Sequence, residues 1–135
     1  MSSAIASLAA DKIYGNFEYV QYVRNYDGDT ITFNIPNIHP LFGEKINIRV
    51  YGIDTPEIRG KCLKEKELAY VVKYYVADLL INAKKIELKN VRRDKYFRIL
   101  CDVYIDDSNL SDILINNDKA VAYDGGKKIK DWCNE

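Results

Sequence analysis

The sequence predicts an α+β fold that is mainly β, with five strands and two helices in a single domain. Several short segments alternate apolar and polar residues with a period of two, as strands with one buried face do. One longer segment repeats its apolar residues at helical spacing. The chain has 135 residues, of which 47% are hydrophobic and 30% charged, so it can bury one real core.

The expected elements follow one another as strand, strand, strand, helix, strand, strand, helix. The strands are expected at residues 19–23, 30–35, 46–53, 85–91 and 98–105. The long helix is expected at 64–82, and a shorter helix after Ser108 or Asn109, either of which can cap it. Asp27-Gly28 is a hairpin signal between the first two strands, and residues 36–43 are expected to form a loop. This order is that of a small five-stranded Greek-key barrel of the oligonucleotide-binding type, the OB-fold.

A turn that carries two carboxylates follows the third expected strand. In Asp54-Thr55-Pro56-Glu57 the proline fixes its own φ at about −65° and restricts the residue before it, so the chain must turn there. A turn that follows a buried strand holds its side chains on a rigid base, which suits catalysis. A polar β-turn with no further role is the simpler interpretation of this segment alone. Two other segments change that balance: Asp27-Gly28-Asp29-Thr30 upstream and Asp94-Lys95-Tyr96-Phe97-Arg98 downstream.

Together the three segments resemble the staphylococcal (micrococcal) nuclease family, also called thermonuclease-like. In that family D-G-D-T, R-x-x-x-x-D-T-P-E and D-K-Y-G-R occur in this order, and here the resemblance runs from about Tyr19 to Tyr123. One motif position differs, because Phe97 stands where the family usually has glycine. A bulky residue does not easily adopt a positive φ, so we expect a different turn in which every φ is negative and Arg98 stays on the site side.

The resemblance implies a calcium-dependent phosphodiesterase, an endonuclease or exonuclease that hydrolyses DNA, RNA or both with little sequence specificity. Asp29, Asp54 and the backbone carbonyl of Thr55 match the family's calcium ligands, and such hard oxygen donors suit Ca²⁺. Asp27 is expected to lie behind these ligands and support them, although a purely structural hairpin role is an equal alternative.

The resemblance also assigns catalytic and substrate-binding positions. Glu57 matches the carboxylate proposed as general base on the attacking water, and it could instead organise the hydrogen bonds of the site. Arg49 and Arg98 match the two phosphate-binding arginines, and a guanidinium can bond two phosphate oxygens at once. The positions that contact the substrate's phosphate and base are matched by Lys95, Tyr96 and Tyr123.

Charge limits the ways in which the protein can bind a polyanion. Twenty basic and twenty acidic residues cancel, so nucleic-acid binding must depend on a few placed cations. The four site acids outnumber the two site arginines by two charges, which one divalent ion would neutralise. The single histidine, His39, and the unpaired cysteine spacing argue against zinc. A non-catalytic nucleic-acid-binding or protein-binding module of the same fold remains the alternative function.

The cysteines and the N-terminus bear on cellular location. Cys101 is expected to be a buried free thiol, and a disulfide between Cys62 and Cys133 would tie down the C-terminal tail. Residues 1–15 are expected to be a leader remnant or a disordered start before a single domain at 16–135, because Ala4-Ile5-Ala6 has the form of a signal cleavage site. These features favour a periplasmic or secreted protein, with a cytoplasmic one, in which both cysteines would be reduced, still open. No apolar run is long enough for a membrane span, and we expect a monomer.

Overall fold

The computed structural model describes residues 12–134, and its fold is α+β and mainly β. The strands are β1 (Gly15–Phe17), β2 (Gln21–Asn25), β3 (Thr30–Asn34), β4 (Ile46–Val50), β5 (Ile53–Asp54), β6 (Ile86–Arg93), β7 (Ile99–Ile105), β8 (Ser108–Asn109) and β9 (Val121–Ala122). The helices are α1 (Pro40–Gly43), α2 (Leu63–Ile81) and α3 (Leu110–Asn116).

One mostly antiparallel sheet carries the fold. Its strands lie in the order β1-β6-β7-β4-β3-β2, with β8 paired to β7, while β5 and β9 form a separate two-stranded sheet. β4 lies between β3, to which it is antiparallel, and β7, to which it is parallel. Thr30 on β3 is therefore opposite Arg49 on β4, which places the start of one strand beside the end of the next.

The core lies between this sheet and α2. Val72, Val76 and Leu80 of the helix are buried in the same apolar cluster as Phe33 and Ile48 of the strands. The sequence places the long helix within one residue of its observed ends. Its apolar stripe is less complete than expected, since Val71 is 54% exposed, while Glu65 is buried on the core side. The expected free thiol of Cys101 is confirmed, and burial raises its pKa to about 12.

The expectation of a five-stranded Greek-key barrel with two helices is wrong in three respects. Within residues 12–134 the sheet does not close on itself, there are three helices, and short additional strands occur. The expected loop at 36–43 contains α1, because Pro40 begins the helix and His39 Nδ1 accepts a hydrogen bond from Leu41 N. The expected strand at 46–53 is divided, because Gly52 has a φ of 85° and turns the chain between β4 and β5.

The expectation about Phe97 is also wrong, because its φ is 63°. The carboxylate of Asp94 imposes the turn, since its Oδ1 accepts hydrogen bonds from Tyr96 N and Arg98 N. Phe97 N also donates to Asp94 O. The Phe97 side chain is 78% exposed, so little packing around the ring opposes this backbone conformation. A bulky residue thus occupies a left-handed position that glycine would occupy without strain.

The C-terminal tail is anchored to the domain. The structure contains the expected disulfide between Cys62 and Cys133, whose Cα atoms are 6.1 Å apart, and Trp132 beside it is buried. At the other end of the chain, Tyr14 N donates to Val91 O, whereas the expectations for residues 1–11 fall outside the described part. No helix in the described range is both long and apolar enough to cross a membrane.

Candidate active site

The turn between β2 and β3 is built around Asp27 and Gly28. Asp27 Oδ1 accepts hydrogen bonds from the backbone N–H groups of Asp29, at 3.1 Å, and Thr30, at 2.9 Å. A Cβ added to Gly28 would lie 2.6 Å from Val72 Cγ1 and 2.9 Å from Thr55 Cγ2. This turn therefore packs directly against α2 and against the Asp54–Glu57 turn, and only glycine allows so close an approach.

Asp29 and Arg49 form a buried ion pair. Arg49 Nη1 is 2.6 Å from Asp29 Oδ2, and Arg49 as a whole is only 8% exposed. Its second terminal nitrogen, Nη2, donates to Ile53 O at 3.1 Å, and Val50 N donates to Asp29 O at 2.8 Å. One guanidinium thus ties the first acidic turn to the backbone that leads into the second.

The second acidic turn has a buried base and an exposed tip. Asp54 and Thr55 are buried, while Glu57 is exposed. Glu65 holds the loop after the turn, because its Oε2 accepts from Glu57 N at 3.2 Å and its Oε1 accepts from Lys61 N at 3.1 Å. Sequence reasoning missed this role of Glu65. Its position in the first turn of α2 was the available signal, since such a glutamate commonly bonds free backbone N–H groups at a helix start.

Lys128 is the second residue that sequence reasoning missed. Its Nζ lies 3.2 Å from Asp54 Oδ1 and 3.2 Å from Glu57 Oε1. Partial burial lowers the pKa of Lys128, but the charges of Asp54 and Glu57 and the hydrogen bonds to them outweigh burial, and the pKa is raised overall. The side chain is therefore an ammonium at neutral pH. The only signal in the sequence was a lysine-rich tail next to a cysteine.

Arg98 faces the cavity that Arg49 also lines. This cavity has a volume of about 320 Å³, and Thr30, Asn47 and Arg93 contribute to its wall. Arg98 Nε donates to Asp94 Oδ2 at 2.6 Å, while within residues 12–134 its two terminal nitrogens make no hydrogen bond. The two arginines of the expected phosphate site are thus brought to one cavity.

The expected substrate-binding residues fall into two places. Lys95 and Tyr96 lie on the exposed turn beside Arg98, with Lys95 Nζ 5.3 Å and Arg98 Cζ 5.6 Å from the centre of the Tyr96 ring. Tyr123 instead lies beside the acidic turns, with its ring centre 6.0 Å from Arg49 Cζ and 5.9 Å from Lys128 Nζ. Lys95 and Tyr96 make no described contact with the site carboxylates.

The charge of the site differs from the simple count of residues. Burial raises the pKa of Asp27 to about 7, and the neighbouring carboxylate of Asp29 adds to the effect. Asp27 is therefore only partly ionised at neutral pH. Asp29, Asp54 and Glu57 carry three negative charges, which Arg49 and Lys128 offset in part.

Calcium fits the donor chemistry of these two turns. No group of three or more His, Cys, Asp or Glu side chains in residues 12–134 is arranged to hold a metal ion. The oxygens available are instead two buried carboxylates, Asp29 and Asp54, and the backbone carbonyl of Thr55. The buried hydroxyl of Thr55 also has no hydrogen-bond partner in the described chain. An all-oxygen set of this kind suits a hard cation that completes its coordination with water.

These features define a small, mainly β protein in which acids and one buried arginine lie where two turns meet beside the sheet, while a second arginine lines a cavity with the first. A family model described as staphylococcal nuclease homologue matches residues 47–132, which is more than half of the chain. The chain belongs to that family. Asp27 and Asp29 precede the matched segment; the ion pair with Arg49 joins Asp29 to that segment, and Asp27 bonds the backbone of Asp29. Among curated proteins, no match to the chain is found.

Proposed function

We propose that this protein is a calcium-dependent nuclease that hydrolyses phosphodiester bonds of DNA, RNA or both, with little sequence specificity. The observation that carries the proposal is the position of Arg49, which pairs with Asp29, bonds Ile53 O next to Asp54, and lines a cavity together with Arg98. The acids offer oxygen ligands to a hard cation, and the arginines offer paired donors to a phosphate. Membership of the staphylococcal nuclease homologue family supports the proposal.

Asp29, Asp54 and the carbonyl of Thr55 would hold the calcium ion. When bound, the ion supplies positive charge close to the phosphodiester, and stabilisation of developing charge usually contributes more to such a rate enhancement than any other effect. Asp27 supports this arrangement from behind, because it fixes the backbone of the turn that presents Asp29.

Arg49 and Arg98 bind the phosphate in this proposal. Arg49 is held rigidly by Asp29 and Ile53 O, so its guanidinium is oriented before substrate arrives. Within residues 12–134 the guanidinium of Arg98 is hydrogen-bonded through Nε alone, which leaves its terminal nitrogens available to phosphate oxygens. A fixed and an adjustable guanidinium together orient the scissile phosphate.

Glu57 takes the proton of the attacking water. Its exposed carboxylate can reach a solvent molecule, and Glu65 holds its backbone in place. Tyr123, Lys95 and Tyr96 extend the binding surface, since tyrosine rings can stack on bases and the lysine can contact a phosphate.

The protein acts as a monomer in an oxidising compartment in this proposal, either periplasmic or extracellular. The Cys62–Cys133 disulfide supports that location, because disulfides persist where thiols are not kept reduced.

The test is digestion of supercoiled plasmid and of structured RNA with calcium, with magnesium or with EDTA. We expect cleavage with calcium, little with magnesium, whose octahedral geometry is stricter, and none with EDTA. Glu57→Gln serves as the matched control, because it keeps the shape of the side chain. Retarded migration of nucleic acid without cleavage would support the alternative, a non-catalytic binding module. Full activity in EDTA would refute the proposed mechanism.

A further inference from the structure

Lys128 contacts both carboxylates of the second acidic turn, one a proposed calcium ligand and the other the proposed base. Its Nζ is 3.2 Å from Asp54 and 3.2 Å from Glu57. We propose that Lys128 is a built-in cation that competes with the divalent ion for Asp54 and so sets the calcium concentration at which the site fills. This inference rests on the proposed function.

The fold places Lys128 there by anchoring the tail on both sides of it. Before Lys128, β9 is paired with β5, the strand that carries Asp54, and Tyr123 N donates to Gly52 O at 2.8 Å. After Lys128, Trp132 is buried and Cys133 is bonded to Cys62. A side chain on a tethered segment stays at high local concentration near its partner, so Lys128 competes far better than a free ammonium ion would.

The competition follows from the charges involved. The Lys128 ammonium lies 3.2 Å from Asp54 Oδ1, so a divalent ion that approaches Asp54 meets a positive charge already in contact with that carboxylate. Like charges a few ångströms apart repel strongly where water is partly excluded. Calcium can therefore bind only when the ammonium leaves Asp54. The half-exposed, flexible lysine side chain can do this without unfolding the tail.

The test is calorimetric titration of calcium into the parent protein and four variants, with no substrate present. Lys128→Met should bind calcium roughly tenfold more tightly, because the competing charge is gone. Lys127→Met is the matched control, since it removes the same charge from the preceding residue. Its affinity for calcium should equal that of the parent. Lys128→Arg keeps the charge and should retain the parent's weaker affinity. Asp54→Asn should abolish binding in this range.

Each outcome decides the inference. Tighter binding by Lys128→Met alone supports it, whereas equal or weaker binding by that variant overturns it and leaves the proposed nuclease intact. An equal gain in Lys127→Met would also overturn it, because the effect would then come from net charge. If neither the parent nor Lys128→Met binds calcium at millimolar concentration, the calcium site of the proposed function fails and the inference fails with it. Circular dichroism of each variant checks that the fold is retained.

Discussion

The substitution Arg49→Lys keeps the charge of a buried residue but removes the planar guanidinium with its two terminal nitrogens. In the parent, the guanidinium reaches Asp29 Oδ2 at 2.6 Å with one nitrogen and Ile53 O at 3.1 Å with the other. An ammonium is a single point with a different reach, so it can keep the ion pair only by giving up the carbonyl. The change therefore separates the effect of the charge from the effect of contacting Asp29 and Ile53 O at the same time.

The expected magnitude follows from the bonds that are lost. A buried hydrogen bond from a charged donor is worth about 1.5 to 3 kcal/mol, so Arg49→Lys should lower the free energy of unfolding by about 2 kcal/mol. Arg49→Met should cost more, on the order of 3 to 5 kcal/mol, because it leaves the Asp29 carboxylate buried without a partner. Cleavage by Arg49→Lys should fall roughly 10²-fold, since one preorganised donor to the phosphate is removed.

The measurement is urea unfolding in EDTA at neutral pH, followed by digestion assays with calcium. The midpoint should shift while the m-value stays constant, as expected for a change in stability alone. Arg24→Lys is the control, because Arg24 is exposed on β2 and has no ion pair to a described residue. Adding Asp29→Asn to Arg49→Met should recover part of the lost stability, which reports the coupling between the two charges.

Two results would refute this reasoning. If the free energy of unfolding of Arg49→Lys is within about 0.5 kcal/mol of the parent's, the bond to Ile53 O contributes nothing to stability. If it also cleaves at the parental rate, the geometry of the guanidinium plays no part in phosphate binding. A loss of stability in Arg49→Lys no greater than that in Arg24→Lys would likewise show that the bond to Ile53 O contributes nothing.

Four further predictions concern separate features. Glu57→Gln should slow cleavage by on the order of 10² to 10⁴ while calorimetry still detects calcium, and a parental rate would remove Glu57 from the chemistry. Cys133→Ser opens a disulfide to Cys62 across a separation of 71 residues. It should lower the free energy of unfolding by roughly 4 kcal/mol through loop-closure entropy. A parent protein whose melting temperature is the same with and without reductant would contradict this. Because the pKa of Asp27 is raised from 3.8 to about 7, the folded state holds this proton more tightly than the unfolded state does. Stability should therefore decrease as the pH rises from about 4 to about 7, by on the order of 1 to 3 kcal/mol, and melts of Asp27→Asn in EDTA should show a flatter profile. Phe97→Gly should raise the free energy of unfolding in urea by about 1 kcal/mol, because it relieves a left-handed backbone position, and a decrease would mean that the exposed ring packs usefully.

Local patterns in the sequence predicted the elements whose signals are local. The apolar repeat located the long helix within one residue at each end, and period-2 alternation located the main strands. Residue size alone predicts the wrong turn at Phe97, because the hydrogen bonds to the carboxylate of Asp94 determine its conformation. A side chain that accepts two backbone hydrogen bonds can stabilise a backbone conformation that the residue itself disfavours.

The missed part of the site depends on contacts between distant segments. Lys128 lies 71 residues after Glu57 in the sequence, and no periodicity indicates that the two meet. The motif residues could be named because their order is distinctive, but their surroundings could not. The burial of Asp27, and therefore its altered charge, depends on packing that sequence spacing does not encode.

The pairing of β5 with β9 also affects when the site can form during synthesis. Asp54 lies on a two-residue strand whose partner begins at Val121, so most of the chain must be made before that strand has a neighbour. β4, which carries Arg49, likewise cannot pair with β7 until residues 99–105 have been made. A nascent chain that has emerged only through α2 holds every acid of the two turns but lacks both strands that align them. We therefore expect the two turns to be aligned only after β9 has emerged.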